Sequence, residues 1–242
     1  MSQWFDNFKA QFVLNFIKEN RWKYLANGLK VTLAVTFLAV IIGIIIGVVI
    51  AMVRSTHDKN IDRMRKGFPY YMLKLGNFLC NVYLAVIRGT PVVVQLMIIY
   101  YIILASSNNK IAIAVIAFGI NSGAYVAEII RSGIMSIDPG QFEAGRSLGF
   151  NYVKTMRYII IPQAFKNVLP ALANEFIVLL KETSVSGYVA LQDLTKGGDI
   201  IRSRTYSAFM PLIAVAIIYL VMVMFFTYLV GKLERRLRNS DH

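Results

Sequence analysis

Two long apolar runs constrain this chain more than any other feature of its sequence. Residues 31–53 read VTLAVTFLAVIIGIIIGVVIAMV, and residues 209–231 read FMPLIAVAIIYLVMVMFFTYLVG. Each run exceeds the roughly 20 residues that an α-helix needs to cross the core of a bilayer. Hydrophobic residues make up 57% of the chain, whereas a soluble domain has about 45–50%. The sequence therefore predicts an all-α integral membrane protein.

Four spans are evident, at about 25–53, 110–134, 160–182 and 208–231. The segment 67–105 is too long for one simple span, and RGTP (88–91) interrupts it; it fits two crossings, or one crossing with an interfacial lead-in. One crossing places the basic segment 54–66 and the basic tail on the same, cytoplasmic side, as orientation rules favour. Basic residues in 181–207 and near the N-terminus make this bias imperfect. We predict about five transmembrane helices, with the N-terminus outside and the C-terminus in the cytoplasm.

The same pattern divides the chain into three parts. Residues 1–24 form an N-terminal amphipathic segment, and we expect a helix over 3–20 to lie on the outer membrane interface. Residues 25–231 form the transmembrane domain, and residues 232–242 form a basic cytoplasmic tail. The net charge of +13 fits Lys and Arg retained on the cytoplasmic side, so we expect no nucleic-acid partner.

Several polar residues fall within the predicted spans, where an ionised side chain costs roughly 2.5–3.5 kcal/mol on insertion scales. Asn121, Tyr125 and Glu128 share one helix face, and Ser122 lies beside it. Such residues either join helices by hydrogen bonds or line a polar path. Arg131, three residues after Glu128, is placed to neutralise it.

Glu175 is the stronger candidate for a functional carboxylate, because no basic residue lies within one helical turn of it. Asn174 is next to it, Gln95 lies one to two turns beyond Pro91, and Thr90 is a further hydrogen-bond donor. We predict a polar substrate path between the helices at 89–105, 110–134 and 160–182. Its candidate residues are Glu175, Asn174, Gln95, Tyr125, Ser122, Glu128 and Thr90.

The motifs of most enzymes and metal sites are missing. The chain has no GxxxxGK[ST] phosphate loop, one cysteine and two histidines, both outside the predicted spans. We therefore expect no cofactor and no metal in this chain, and no catalytic residues. Five spans without an internal repeat are few for a complete transporter, which usually pairs two halves around its site. The chain is expected to be one half of a larger assembly.

An ordered segment, QFEAGRSLGFNYVKTMRYIIIP (141–162), lies between two predicted spans. We predict a short helix over 141–148, ended by Gly149 in a left-handed conformation. Ala144 and Gly145 leave a small-residue surface that another protein could approach closely. Two interpretations remain open from the residues alone: a helix lying on lipid, or a rigid knob that binds a cytosolic partner.

The residues Glu143-Ala144-Gly145-Arg-Ser-Leu-Gly149, followed by Ile159-x-Ile161-Pro162, resemble the EAA loop of bacterial ABC-importer permeases. Both spacings of that loop are kept; Gly145 replaces the usual Ala and Ile161 the usual Leu. The rest of the chain is similar to the polar amino-acid branch of this family, and the resemblance covers nearly everything after residue 25. The matching stretches are 28–47, 88–96, 122–150 and 172–194.

The resemblance implies a type I ABC importer permease fold with a cytoplasmic coupling helix. It implies an ATP-driven importer in the cytoplasmic (inner) membrane that translocates a polar, and we expect a basic, amino acid. The implied partners are a second permease subunit, identical or not, an ATP-binding cassette subunit that holds ATP and Mg, an extracytoplasmic binding protein and membrane lipid. The residues implied to couple transport to ATP hydrolysis are Glu143, Ala144, Gly145, Ser147, Leu148 and Gly149.

Two rival functions fit parts of the sequence. An ion-coupled secondary carrier would work without an ATPase and would use Glu128 or Glu175 as its proton site. A structural membrane scaffold would explain the basic loops but not the polar residues within the spans. Neither rival predicts the pattern at 141–162.

Overall fold

The computed structural model describes residues 2–238, and every regular element in that range is a helix. Met1 of the predicted N-terminal segment and residues 239–242 of the predicted tail, including His242, lie outside the described residues. The helices are α1 Ser2–Phe12, α2 Trp22–Asn60, α3 Phe68–Gly89, α4 Val92–Ile98, α5 Lys110–Met135, α6 Pro139–Ser147, α7 Tyr152–Thr155, α8 Ile161–Glu182, α9 Leu194–Thr205 and α10 Phe209–Arg238. The all-helical prediction is confirmed for the described residues.

Four described helices are long and apolar enough to cross a membrane: α2, α3, α5 and α10. The predicted span at 160–182 is also helical, as α8. Lys166, Glu175, Lys181 and Glu182 lower its hydropathy, so its composition alone does not mark it as a span. Counting α8, these helices are compatible with about five crossings.

The apolar segment 67–105 breaks where its sequence is interrupted. α3 ends at Gly89, and α4 begins at Val92 and continues as a π-helical turn, Ile99–Ile103. Thr90 between them is extended, with φ −121° and ψ 146°. The cause is Pro91, because its ring disfavours helical backbone in the residue before it.

The described residues belong to two compact units. Of the described residues, unit 1 comprises 2–39, Val92–Phe118 and Ile177–Tyr228, and unit 2 comprises Val40–Pro91, Gly119–Phe176 and 229–238. Each unit has its own buried apolar core. The core of unit 1 consists of Phe16, Leu25, Leu194, Ile201 and Val215.

The N-terminal segment of unit 1 is shorter as a regular helix than the predicted 3–20. α1 continues as a π-helical turn, Val13–Ile17, and the chain then turns through Glu19 and Asn20, which both have positive φ. The buried Asn15 fastens this segment, because its amide donates to the Gln11 carbonyl at 2.8 Å and its oxygen accepts from the Thr205 hydroxyl at 2.8 Å. The first helix is therefore attached to the end of α9.

Asp193 begins α9 and is fully buried in unit 1. Its carboxylate accepts from the backbone N–H groups of Thr195 and Lys196, at 3.2 and 3.0 Å. Burial raises the pKa of Asp193 from 3.8 to about 6, although these hydrogen bonds oppose the shift. The helix cap is therefore a carboxyl group that titrates near neutral pH.

Unit 2 is built on close packing between α2 and α5. A side chain at Gly47 would place its Cβ 2.4 Å from Val126 Cγ1, and one at Gly43 would lie 2.9 Å from Ser122 Oγ. Because glycine has no side chain, the two helices approach at these positions. α3 packs beside them, and its Leu84 joins a buried cluster with Ile50, Ala124 and Ala127.

Candidate functional site

The predicted polar residues of α5 and α8 meet inside unit 2. The hydroxyl of Ser122 donates to Glu175 Oε1 at 2.9 Å, and both residues are buried. This contact joins the middle of α5 to the middle of α8. A buried carboxyl group costs free energy unless it is hydrogen-bonded, so the Ser122 hydroxyl offsets part of the cost of burying Glu175.

Tyr125 lies three residues after Ser122, on the same side of α5. Its ring faces an arginine that is absent from the predicted site: Arg88, in the last turn of α3, whose guanidinium carbon lies 5.7 Å from the ring centroid. Arg88 is exposed, and Tyr125 is 36% exposed. The structure thus places a guanidinium group beside the predicted polar path.

Glu128 forms ion pairs with arginines of α2 and α5. Arg54 of α2 donates to Glu128 Oε1, and Arg131 Nη1 lies 4.0 Å from Glu128 Oε2. Arg131 Nη2 also binds Asp58 Oδ2 at 2.9 Å. Four charged groups therefore form a network between α2 and α5, and a cationic substrate would have to compete with two arginines for Glu128.

The remaining predicted residues lie in different surroundings. Asn174 is exposed on α8, next to the buried Glu175. The Thr90 hydroxyl donates to the Val86 carbonyl of its own chain at 2.8 Å, which satisfies the end of α3. Gln95 is 7% exposed within α4, in unit 1. Unit 2 therefore brings together Ser122, Glu175 and, beside them, Tyr125.

The second predicted site is the short helix α6, which begins two residues earlier than the predicted 141–148. Asp138 caps it by accepting from the Gly140 N–H at 2.6 Å, and Pro139 occupies its first turn, where no N–H is needed. Gly149 follows it with φ +76°, so the predicted left-handed stop is confirmed. The N–H of Phe150 returns to the Gly145 carbonyl at 3.0 Å.

Most of the predicted coupling residues lie on the surface of α6. Glu143, Ala144, Ser147 and Gly149 are exposed, and Leu148 is 71% exposed.

The sequence suggests that Gly145 belongs to an open, small-residue surface, but the structure places it elsewhere. It is buried, and a Cβ there would lie 2.7 Å from Thr155 Cγ2 and 3.1 Å from Ile159 Cδ1. The small size of Gly145 thus allows internal packing, because Thr155 and Ile159 already cover it.

α6 is also tied to the end of α2. Lys59 Nζ lies 4.5 Å from the centre of the Phe142 ring. Burial raises the pKa of Tyr152, and a hydrogen bond with Thr56 of α2 opposes that shift. A cleft of about 170 Å³ lies here, lined by Lys59, Pro139, Phe142, Glu143, Arg146 and Tyr152. A displacement of α6 would therefore act on the same end of α2 that binds Glu128 of α5.

Comparison with known proteins shows the family to which this chain belongs. The family described as "Binding-protein-dependent transport system inner membrane component" matches residues 67–239, which include both sites in unit 2. The chain belongs to this family. As a member of it, the chain is a membrane component of a transport system that works with a binding protein.

Two relatives of this transport component are named as permease proteins of amino-acid transport systems. It is 41% identical over 167 residues to the "Arginine transport system permease protein ArtQ" of Bacillus subtilis (strain 168), covering 68% of this chain and 76% of that protein. It is 38% identical over 168 residues to the "Glutamine transport system permease protein GlnP" of Escherichia coli (strain K12), covering 68% and 77%.

Solved structures share the fold of this transport component. A chain from the "Crystal structure of an amino acid ABC transporter with histidines" has a TM-score of 0.79 and 44% identity, and the match covers 91% of this chain and 98% of that one. A chain of the inward-facing MetNI methionine ABC transporter has a TM-score of 0.74 at 20% identity, covering 89% and 97%. The second likeness concerns the fold alone.

Arg88, Arg54 and Asp58 are functional candidates that the predicted site does not include. The sequence does carry a signal for Arg88, which is a charged residue inside an apolar segment of the transport component. Arg54 and Asp58 lie at the end of an apolar run, where charged residues are expected at the membrane surface. Their contacts with α5 depend on helix packing.

Proposed function

We propose that this chain is the permease subunit of an ATP-driven importer that translocates a polar, basic amino acid across the cytoplasmic membrane. The observation that carries the proposal is the buried Ser122–Glu175 contact between the middles of two helices. Relatives named for arginine and glutamine transport support the amino-acid class. Glu175 supports the preference for a basic substrate, because a buried carboxylate is the natural partner of a cationic side chain.

In this proposal Glu175 binds the cationic group of the substrate, and Ser122 holds the carboxylate in place. Tyr125 supplies an apolar ring and a polar hydroxyl at the side of the path. Asn174 and Thr90 supply further hydrogen-bonding groups in unit 2, and Gln95 is a separate candidate in unit 1. Glu128 has a different role, because Arg54 and Arg131 already bind its carboxylate. We assign it to the contact between α2 and α5.

The exposed α6 docks on a separate ATP-hydrolysing subunit. The support is the combination of a rigid, capped helix with an uncovered apolar side chain at its end, Leu148, and a further exposed apolar residue nearby, Val153, which is 68% exposed. Movements of the ATPase then act on α2 through Lys59 and on α5 through Arg54, so the spans move as rigid bodies between outward and inward openings.

The remaining partners follow from this assignment. A second permease subunit, identical or related, completes the path, and an extracytoplasmic binding protein delivers the amino acid. ATP and Mg are held by the ATPase subunit. The N-terminus lies outside and the C-terminus in the cytoplasm, which places α6 on the side of the ATPase.

The substitution Glu175→Gln tests the site, since it keeps the shape of the side chain and removes its charge. A hydrogen bond to a charged group contributes about 1.5–3 kcal/mol, so the KM for arginine uptake into proteoliposomes should rise by at least about tenfold. Glu182→Gln, at the end of the same helix, is the matched control and should leave KM within about twofold. Unchanged KM in Glu175→Gln would remove Glu175 from the site.

The same proteoliposomes separate an importer from an ion-coupled carrier. The assembled importer should accumulate arginine with the binding protein and ATP in the absence of an ion gradient. Accumulation that needs a proton or sodium gradient and ignores ATP would refute the proposed coupling to an ATPase.

A further inference from the structure

A groove in unit 1 lies between α1 and the start of α10. Its volume is about 640 Å³, within the range of about 300–1,000 Å³ that is usual for small-molecule sites. Trp4 and Phe8 of α1 form one apolar wall, and Phe209 and Met210 of α10 form the other. These residues belong neither to the polar path nor to α6, so the proposed function leaves the groove unexplained.

The polar part of the groove is held in place by a buried residue. The lining residues Gln11, Thr205 and Ser207 all contact Asn15, which is fully buried. The Asn15 amide donates to the Gln11 side-chain oxygen and to the Ser207 hydroxyl, both at 3.4 Å. Its oxygen accepts from the Thr205 hydroxyl at 2.8 Å. Asn7 adds a further amide to the lining, so the groove combines ordered hydrogen-bonding groups with apolar walls.

The groove is continuous with a surface that membrane lipid can reach. α10 is long and apolar enough to cross a membrane, and its side chains Phe209, Leu212 and Ile213 are 72%, 46% and 45% exposed. Phe209 both lines the groove and begins this helix, so the groove lies where the span leaves the membrane. A tryptophan such as Trp4 is typical of that level, because its ring is apolar and its N–H is polar.

We infer that the groove binds one phospholipid of the membrane. Its acyl chain packs between Trp4, Phe8 and Met210, and its glycerol ester oxygens accept hydrogen bonds from the Asn7 amide and the Ser207 hydroxyl. All the described residues that line the groove are uncharged, so recognition depends on the ester region and not on the charge of the head group. The bound lipid anchors α1 to α10 at the membrane surface, whatever substrate the chain transports.

Fluorescence quenching by phospholipids with brominated acyl chains tests the inference, because the chain has two tryptophans. Trp22→Phe leaves Trp4 as the reporter in the groove, and Trp4→Phe leaves Trp22, which is not a lining residue, as the reference. The purified full chain in a nonionic detergent is titrated with brominated phosphatidylethanolamine or phosphatidylglycerol. Quenching of Trp4 should saturate while lipid is still a minor component of the micelle, and equally with both lipids. Quenching of Trp22 should only follow the lipid content of the micelle.

Asn7→Phe, made in the Trp22→Phe background, replaces a lining amide with a bulky ring. It should raise the lipid concentration for half-maximal quenching at least about tenfold, because a hydrogen bond and part of the space are lost. Ala10→Phe is the matched control, since it adds the same ring at an exposed position of α1 outside the lining. It should leave that concentration within about twofold.

Three results would overturn the inference. Quenching of Trp4 that follows lipid content without saturating would show ordinary contact with bulk lipid. Equal shifts in Asn7→Phe and Ala10→Phe would show that the groove is not the place of binding. Trp4 that stays unquenched at high lipid content would show that lipid does not enter the groove, as when a second copy of the chain fills it.

Discussion

Gly43 of α2 lies against Ser122, so we predict that a methyl group added at position 43 will weaken substrate binding even though Gly43 is not itself a site residue. In Gly43→Ala the new Cβ would lie 2.9 Å from Ser122 Oγ, whereas ordinary contacts begin at 3.4 Å. The hydroxyl must therefore withdraw by about 0.5 Å or rotate away, since overpacking in a close-packed interior forces such shifts. Either change weakens its 2.9 Å hydrogen bond to Glu175.

The upper limit of the effect follows from the hydrogen bond that is weakened. A hydrogen bond to a charged group is worth about 1.5–3 kcal/mol, which corresponds to between about tenfold and about a hundredfold in affinity. We expect the lower end, because the Glu175 side chain itself is retained. The KM for arginine uptake by the assembled transporter in proteoliposomes should rise by about tenfold.

Two further variants isolate this mechanism. Gly47→Ala lies one turn away on the same helix and would press on Val126 at 2.4 Å instead of on Ser122. It should lower thermal stability, by about 1–3 kcal/mol for overpacking, and leave KM unchanged. In a Ser122→Ala background the hydroxyl is absent, although the Cβ of residue 122 still lies 3.0 Å from the new methyl carbon, so adding Gly43→Ala should change KM less than it does in the parent protein.

Gly43 and Ser122 should therefore show non-additive effects on KM. If the effects of Gly43→Ala and Ser122→Ala on KM multiply, the two residues do not act through one contact. Equal changes of KM in Gly43→Ala and Gly47→Ala would also refute this mechanism, because helix separation alone would then explain both.

Three other predictions concern coupling, packing and pH. Gly149→Ala, at φ +76°, should cost about 1–2 kcal/mol at the end of α6 and lower the amount of substrate taken up per ATP hydrolysed. Gly149→Asn should lower it less, because asparagine tolerates this conformation better. An uptake per ATP equal to that of the parent protein in both variants would contradict the coupling role. Arg54→Glu should lower the melting temperature by placing two like charges together, and adding Glu128→Arg should recover at least half of the loss with KM unchanged; a swap that recovers nothing would show that the pair does not stabilise the fold. The raised pKa of Asp193, about 6, means that the native state holds this proton more tightly than the unfolded state, so stability should fall as the pH rises from about 4 to about 6. Asp193→Asn, which can still cap α9, should lack this fall and be more stable at pH 7.5 by on the order of 2–3 kcal/mol, whereas parallel melting curves of both proteins across pH would refute the assignment.

Much of the fold can be predicted from local sequence. Apolar runs long enough to cross a bilayer mark α2 and α10 directly, because bilayer thickness fixes the length of such helices. α6 is also readable, since its left-handed stop needs a residue such as Gly149. The N-terminal segment shows the limit, because the turn at Glu19 and Asn20 places two non-glycine residues at positive φ, which no simple pattern indicates.

The candidate site is only partly predictable. The sequence identifies Glu175 as an acidic residue without a nearby basic one, but its partner Ser122 lies 53 positions away. The ion pair of Glu128 with Arg54 spans 74 positions. The sequence therefore indicates only one ion-pair partner of Glu128, the nearby Arg131.

Local sequence was enough to predict a helical membrane protein with a short capped helix between two spans, and the EAA-like pattern indicated the family. Both properties depend on spacing within one stretch of chain, where helix periodicity and bilayer thickness act directly. Three contacts become visible in the folded chain alone: Gly145 packs internally, Glu128 pairs with Arg54 of α2, and the Arg88 guanidinium lies over the Tyr125 ring. These contacts depend on which faces of separate helices meet, and that is settled by packing across the whole unit.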